Sequence, residues 1–252
     1  MAAGLFGNDL DFSGQRVLIT GGAGGLGQEL AKAFSAVGAD LVLADIDGGK
    51  LRDFASGLPG KTDTHVFDQG DLASIAHLSA EAGRIDVFVN NAAMLLVKPI
   101  LDSEPEAIAT LMSVNLVGPM VLARAVASGM IAHGRTGVIV NICSQLAFCV
   151  AEGRAAYATA KAGIAQFTKS AAVEWASRNV RVVGIAPGRL LTTMSTFLGG
   201  DDEAYRAGIA RVPVGRYGTP QEIARLVVLL ASPCASYMVG ETVIVDGGYV
   251  LG

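Results

Sequence analysis

Two hydrophobic rhythms alternate along this chain. Short apolar runs, with little polar interruption, occur at Arg16–Thr20, Asp40–Asp45, Thr64–Phe67, Asp86–Asn90, Val138–Ile142, Val180–Ala186 and Thr242–Val245. Their length and β-branched content read as strands. Between them the apolar residues recur at helical spacing. Leu30, Phe34 and Val37 mark a helix ending at Gly38, and Leu72–Ala82 a second. Ser103–Ala132 is a third, through Ile108, Leu111, Met112 and Leu116, with a kink expected at Pro119. Ala155–Ser177 and Pro220–Ala231 follow, the last introduced by Thr219 as N-cap. Strand–helix alternation of this kind predicts an α/β fold. The expected form is a single doubly wound domain, a seven-stranded mostly parallel sheet with helices on both faces. It would span residues 12–252 behind an N-terminal arm of residues 1–11. Gly184–Asp202 is the least regular stretch, and a lid over the site is expected within residues 188–210.

Composition narrows what such a domain can do. Of 252 residues, 51% are hydrophobic and only 17% charged, which fits a large buried core and apolar subunit contacts. A net charge of -4 without any basic run argues against a nucleic-acid partner. The three cysteines form no CxxC pair and the three histidines do not cluster, so no metal site is expected. An odd cysteine count without a secretory segment fits a reducing cytoplasm. The run Leu226–Ala231 is too short to span a bilayer, and no membrane partner is expected.

Candidate chemistry begins directly after the first strand, where Gly21-Gly-Ala-Gly-Gly-Leu-Gly27 opens a helix. Glycines let the backbone approach a pyrophosphate, and a helix N-terminus offers free N–H groups and positive dipole. Gly21, Gly25, Leu26 and Gly27 are therefore candidate phosphate-binding positions. The second strand ends at Asp45, 24 residues after Gly21, near the distance at which a carboxylate meets the ribose hydroxyls of NAD. The alternative for Asp45 is a helix N-cap for the segment beginning near Asp47. Further along, Tyr157 and Lys161 stand four apart in a helical pattern and share one face. An ammonium beside a phenol favours phenolate and draws its pKa down from about 10. Ser144 follows the strand Val138–Ile142, where its hydroxyl can come beside the phenol and hold a carbonyl or alcohol oxygen.

Thr20-Gly21-x-x-x-Gly25-x-Gly27, Asp68, Asn90-Asn-Ala92, Asn115, Ser144, Tyr157-x-x-x-Lys161, Pro187-Gly188 and Asp246-Gly-Gly248 occur in this order. As an ordered set they resemble the short-chain dehydrogenase/reductase family, from about Phe12 to the C-terminus. The resemblance implies a Rossmann-type domain with a catalytic tetrad of Asn115, Ser144, Tyr157 and Lys161. Tyr157 would be the general acid/base, Ser144 would orient the substrate oxygen, and Lys161 would tune the phenol and hold the nicotinamide ribose. Asn115 would break its helix locally and seat a proton-relaying water. For the cofactor, NAD, it implies contacts from Asp68, Asn90, Ala92, Pro187, Gly188 and Thr192 besides the glycine loop, Asp45, Tyr157 and Lys161. Two departures stand out. Ala93 replaces a usual glycine, and Val183 replaces an asparagine common before the Pro-Gly turn.

The expected activity is hydride transfer between NAD(H) and a secondary alcohol or ketone of polyol, sugar or hydroxy acid type. The alternatives are a 3-oxoacyl thioester reductase and, in another class, an idle NAD-sensing regulatory or scaffold protein. Substrate walls are expected at Met94, Leu95, Leu96, residues 145–148, Leu190, Met194 and Phe197, with Gln145 and Arg189 as polar candidates. The small-residue helices Ser103–Ala132 and Ala155–Ser177 suggest a homo-oligomer, and the resemblance points to a tetramer.

Overall fold

The computed structural model describes residues 8–191 and 203–252. Seven strands form one sheet: β1 (Arg16–Thr20), β2 (Asp40–Asp45), β3 (Thr62–Val66), β4 (Val87–Asn90), β5 (Gly137–Ile142), β6 (Val180–Pro187) and β7 (Thr242–Val245). Their order is β3-β2-β1-β4-β5-β6-β7, and every neighbouring pair is parallel. The sheet is thus fully rather than mostly parallel. Its order reverses between β1 and β4, which opens a crevice at the carboxyl ends of those two strands.

Apolar strand residues explain the layers. Val17 and Ile19 of β1, with Leu41 and Leu43 of β2, face one side and are fully buried there. They pack against Leu30 and Phe34 of α1 (Gly25–Ala36) and Val227 of α8 (Pro220–Ala231). Leu18, Val42 and Phe88 face the other side. There they meet Ile75 and Leu78 of α3 (Leu72–Glu81) and Leu122 and Val126 of α5 (Gly118–Ala132). Each such side chain contributes about 1.5–3 kcal/mol by leaving water. Phe12 is buried edge-on against Phe34, with ring centroids 5.3 Å apart. Thr219 caps α8 through a reciprocal capping box with Glu222.

Three expectations change in detail. The stretch 103–132 is not one helix: α4 (Pro105–Met112) and α5 are separated by a π-helical turn, Ser113–Val117. The interruption centres on Asn115, and Pro119 sits in the first turn of α5, where its missing N–H is tolerated. Gly184–Pro187 is regular, belonging to β6. The most apolar long helical run is not 226–231 but Pro105–Ala132. By length and composition alone it could cross a membrane, at a mean hydropathy of 1.5. Its Leu111, Leu122, Val126 and Met130 are instead buried against the protein. Two further helices, α2 (Gly48–Ala55) and α7 (Glu203–Ala210), flank α6 (Ala155–Trp175) in sequence. Thr192, Met194, Phe197 and most of the expected lid lie outside the described residues.

Candidate active site

The glycine loop is shaped by two close approaches that exclude side chains. Gly21 has φ +69°, and a Cβ there would come within 2.8–2.9 Å of Asn91 and Ala92. A Cβ on Gly27 would collide with the Gly21 carbonyl oxygen. Gly24 is the N-cap of α1, with no capping side chain and no acid in the first turn, so the helix end keeps its donors and positive dipole. Across the crevice, Thr20 Oγ1 accepts from the N–H groups of Asn91 and Ala92 at 3.1 Å each, and Asn91 Nδ2 donates to Thr20 O at 2.8 Å. These bonds fix the loop after β4 against the end of β1.

Asp45 is not a helix cap. Asp47 takes that role for α2, accepting from Lys50 N at 3.0 Å. The Asp45 carboxylate instead accepts from Ala23 N at 2.9 Å and Asp47 N at 3.0 Å, which places it at the rim of the glycine loop. Gly21, Leu26, Gly27, Asp45, Asp68, Ala92 and Ala93 line one cavity of about 810 Å³, and no lysine or arginine lines it among the described residues. The cavity suits a dinucleotide on three grounds: a cradle that a Cβ would fill, an open helix N-terminus, and a carboxylate for ribose hydroxyls.

The second cluster grows from β5 and α6. Ser144 directly follows the strand and starts a short 3₁₀ turn, Gln145–Ala147, its Oγ accepting from Leu146 N at 3.2 Å. Lys161 is buried, and Nζ donates to the Ile142 carbonyl at the end of β5, 2.9 Å away. It lies 5.9 Å from the centroid of the Tyr157 ring. Burial pulls the Lys161 ammonium down to about 8. Burial also pushes the Tyr157 phenol up, opposed by its hydrogen bond with Ser144 and by the nearby Arg154 charge. The expected lowering of the phenol by Lys161 is therefore not realised in this geometry. Desolvation outweighs Ser144 and Arg154, the groups that lower the phenol, while the Lys161 ammonium directs its hydrogen bond at Ile142 O.

Asn115 meets the expectation of a local helix break in the π-turn. Its side chain clamps the loop after β4, Oδ1 accepting from Met94 N and Nδ2 donating to Met94 O, both at 2.8 Å. Asn90 lies beneath the site. It is buried, and its Nδ2 donates to Asn141 Oδ1 at 3.1 Å. Asn141 in turn donates to Thr168 Oγ1 of α6 at 2.9 Å. Pro187 ends β6, and Gly188 packs within reach of Asp246 and Gln145. Ala93 accommodates its methyl, since Asn179 is the only non-glycine residue with positive φ among the described residues. Val183 is fully buried in the core rather than near the expected lid.

Leu95, Ser144, Gln145, Arg154, Tyr157 and Arg189 line a second cavity of about 240 Å³. Arg154 and Gln69 escaped the sequence reading. Arg154 could have been found, standing one helical turn before Tyr157. Gln69 could not: its Nε2 donates to Ala92 O and Val114 O at 2.8 Å each, bonds that only the fold brings together.

Comparison with known proteins agrees with this picture. A family model described as enoyl-(acyl carrier protein) reductase matches residues 21–250. The 3-oxoacyl-(acyl-carrier-protein) reductase of Thermotoga maritima is 36% identical over 94% of this chain and 98% of its own length. Gluconate 5-dehydrogenase of Gluconobacter oxydans is 34% identical over 94% of both. L-xylulose reductase of Bos taurus is 32% identical over 96% and 99%. Among solved structures, a candidate NAD(P)-dependent gluconate 5-dehydrogenase from Beutenbergia cavernae, with bound NADP at low occupancy, superposes with a TM-score of 0.89. It is 33% identical and covers 97% of this chain and 100% of its own. A parallel sheet with a glycine-lined crevice at its switch point defines the class, the nicotinamide-dependent oxidoreductases. Within that class, the chain belongs to the short-chain dehydrogenase/reductase family.

Proposed function

We propose that the protein transfers hydride between NAD(H) and a secondary alcohol or ketone, of polyol, sugar or hydroxy acid type. The observation that carries this reading is the convergence of Ser144, Tyr157 and Lys161 at the carboxyl end of β5. Asn115 clamps the adjoining loop there, and the glycine-loop crevice opens beside them. The nicotinamide cofactor, when bound, supplies or accepts the hydride. Gly21, Gly25, Leu26 and Gly27 would hold its pyrophosphate and Asp45 its adenosine ribose. Asp68, Asn90, Ala92, Pro187, Gly188 and Thr192 would complete the cofactor contacts.

The chain's own groups handle the proton and the oxygen. Tyr157 Oη gives its proton to the carbonyl oxygen in reduction and, as the phenolate, takes the carbinol proton in oxidation. Ser144 Oγ, which lines the same cavity as that phenol, holds the same substrate oxygen and fixes its distance from the base. The Lys161 ammonium has three donors, of which Ile142 O takes one, which leaves two for cofactor hydroxyls. Asn115 keeps Met94 and the loop after β4 in place, so the floor of the site does not shift during turnover.

NAD over NADP is supported by Asp45 at the loop rim and by the absence of any lysine or arginine among the described residues lining the larger cavity. NADP is bound in some related structures, one of them a candidate 2-deoxy-D-gluconate 3-dehydrogenase from Agrobacterium tumefaciens, so coenzyme titration is the decisive comparison. A panel of alditols, aldonates, hydroxy acids and acyl thioesters, followed by NADH absorbance, tests the reaction. Turnover of 3-oxoacyl thioesters alone would favour the reading suggested by the Thermotoga relative. Coenzyme binding with no turnover of any member would favour the idle-sensor reading. Val117 beside α5, Met120 on α5 and Val173 on α6 are exposed, which supports a homotetramer burying these helices. Three free cysteines support a reducing cytoplasmic location.

A further inference from the structure

The smaller cavity, about 240 Å³, has room for roughly eight waters at about 30 Å³ each, the scale of a small polar molecule. Besides Ser144 and Tyr157, its wall carries two guanidinium groups, Arg154 and Arg189, and no aspartate or glutamate among the described residues. Among the described residues neither arginine joins an ion pair. Arg189 Nη1 donates to the Tyr217 hydroxyl at 3.2 Å. Arg154 Nη1 is buried with no hydrogen-bond partner.

Three further features make this an uncomfortable place for an unpaired cation. Arg154 is the N-cap residue of the 21-residue helix α6, where the helix dipole is positive. Partial burial, and then repulsion by Arg189, hold its basicity below the ordinary arginine value. Burying an uncompensated charge is expensive, whereas a guanidinium paired with a carboxylate gains two parallel, charge-assisted hydrogen bonds. On the same wall, Gln145 is 4% exposed and its Oε1 also lacks a partner among the described residues. That leaves a buried acceptor beside the buried Nη1 of Arg154, with the exposed Arg189 at the same wall, in the cavity that holds the proposed reacting phenol.

We propose that the substrate is a small hydroxy acid, or the matching keto acid. Its carboxylate is held by Arg154 with Arg189, its reacting oxygen by Tyr157 and Ser144, and a further hydroxyl donates to Gln145 Oε1. The inference rests on the oxidoreductase reading of the same site and names its substrate class. The chemistry balances as a two-electron exchange. The carbinol C–H leaves as hydride to the oxidised nicotinamide, the O–H proton goes to Tyr157, and the carboxylate remains unchanged.

The test uses the full chain saturated with coenzyme and matched pairs that differ only at C1: C4 to C6 aldonates against the corresponding alditols. Calorimetric titration is expected to show at least one aldonate binding tenfold or more tightly than its alditol. In Arg154→Met that ratio should collapse towards one, and Arg154→Lys should recover part of it. Arg189→Met should lower it less, since that side chain is exposed and already engaged with Tyr217. Because a ratio is read, any general effect of the substitution cancels, and coenzyme affinity of each variant verifies folding. Equal binding of aldonates and alditols, or a preference that survives Arg154→Met, would overturn the proposal. NADH absorbance on the same samples separates the two levels. Arg154-dependent aldonate binding with no hydride transfer to or from any substrate would count against the oxidoreductase reading while upholding the anion site.

Discussion

On the β1–β2 side of the sheet, the groups that meet a ligand are mostly main chain: glycine N–H groups, a helix end and an approach no Cβ could allow. On the β5–α6 side they are side chains with polar atoms in poor solvent: a buried ammonium, a raised phenol and an arginine nitrogen without a partner. The first surface keeps free main-chain donors and suits a generic group, a pyrophosphate. The second is held under electrostatic tension and gains most when a specific molecule arrives. One fold thus separates affinity for a common cofactor from selectivity and chemistry.

The sharpest way to break that contrast is to remove one atom from the tense side. Tyr157→Phe deletes only an oxygen, yet turnover should fall about 10²–10⁴-fold, the scale of a lost general acid/base. That is roughly 3–5 kcal/mol of barrier. Coenzyme affinity should stay within a few-fold. Steady-state kinetics beside a coenzyme titration checks both halves, and a variant that keeps its turnover removes the phenol from the mechanism.

On the cofactor side the corresponding lever is charge at the rim. Asp45 should make NAD preferred over NADP by about tenfold to a hundredfold, or roughly 1.4–2.8 kcal/mol. The 2′-phosphate would meet a like charge. Asp45→Ser with Ile46→Arg should narrow or invert the ratio, while serine keeps an oxygen near the Ala23 N–H. Equal affinity for both coenzymes in the wild type would show that Asp45 serves the loop alone.

A backbone-built surface should also be fragile where it is closest. Gly27→Ala should destabilise the fold by about 1–3 kcal/mol as the methyl meets the Gly21 carbonyl. It should weaken coenzyme binding about tenfold while leaving the chemistry of bound substrate little changed. Thermal unfolding and a kcat against KM split separate these effects. Unchanged coenzyme affinity would mean that the loop tolerates the shift.

The smallest effect probes the tension itself. Lys161 has its pKa lowered by burial from 10.5 to about 8, so the folded state disfavours its charged form. For a lysine depressed in this way, the penalty on folding is fully present below about pH 8. It is relieved as pH rises through that value towards 10.5. Lys161→Met, which is expected to lose activity, should therefore unfold without coenzyme at a temperature equal to or above that of the wild type at pH 7. The gap should shrink towards pH 10. A gap that widens with pH would refute the assignment.

The strands were legible because their runs are apolar enough to demand burial on both faces. The helices were legible where Leu30 and Phe34, or Ile223 and Val227, keep period. The glycine loop, Asp45 and the Tyr157–Lys161 pair were legible because their spacing has few other physical uses. Periodicity pointed to a kink at Pro119, which instead sits in the first turn of α5, while the break at Asn115 came only from the family resemblance, since periodicity does not register the extra residue of a π-turn. The sign of the Tyr157 shift was lost for a related reason. Sequence shows the neighbouring cation but neither how deeply both groups are buried nor that the lysine points at Ile142. Arg154 carried no warning beyond its spacing, because an arginine ordinarily finds solvent or a carboxylate.

The chain of buried amides and hydroxyl from Asn90 through Asn141 to Thr168 has a bearing on how such an enzyme diversifies. It keys β4, β5 and α6 to one another at a depth no substrate reaches, so the reacting groups borrow their alignment from a layer below them. Residues of the smaller cavity, such as Leu95 or Arg189, are outside that keyed layer. They can be exchanged for another size or charge without retuning the Tyr157–Lys161 pair. A scaffold arranged this way can change its diet by surface edits, and a designer would do well to treat Asn141 as foundation and Leu95 as furniture.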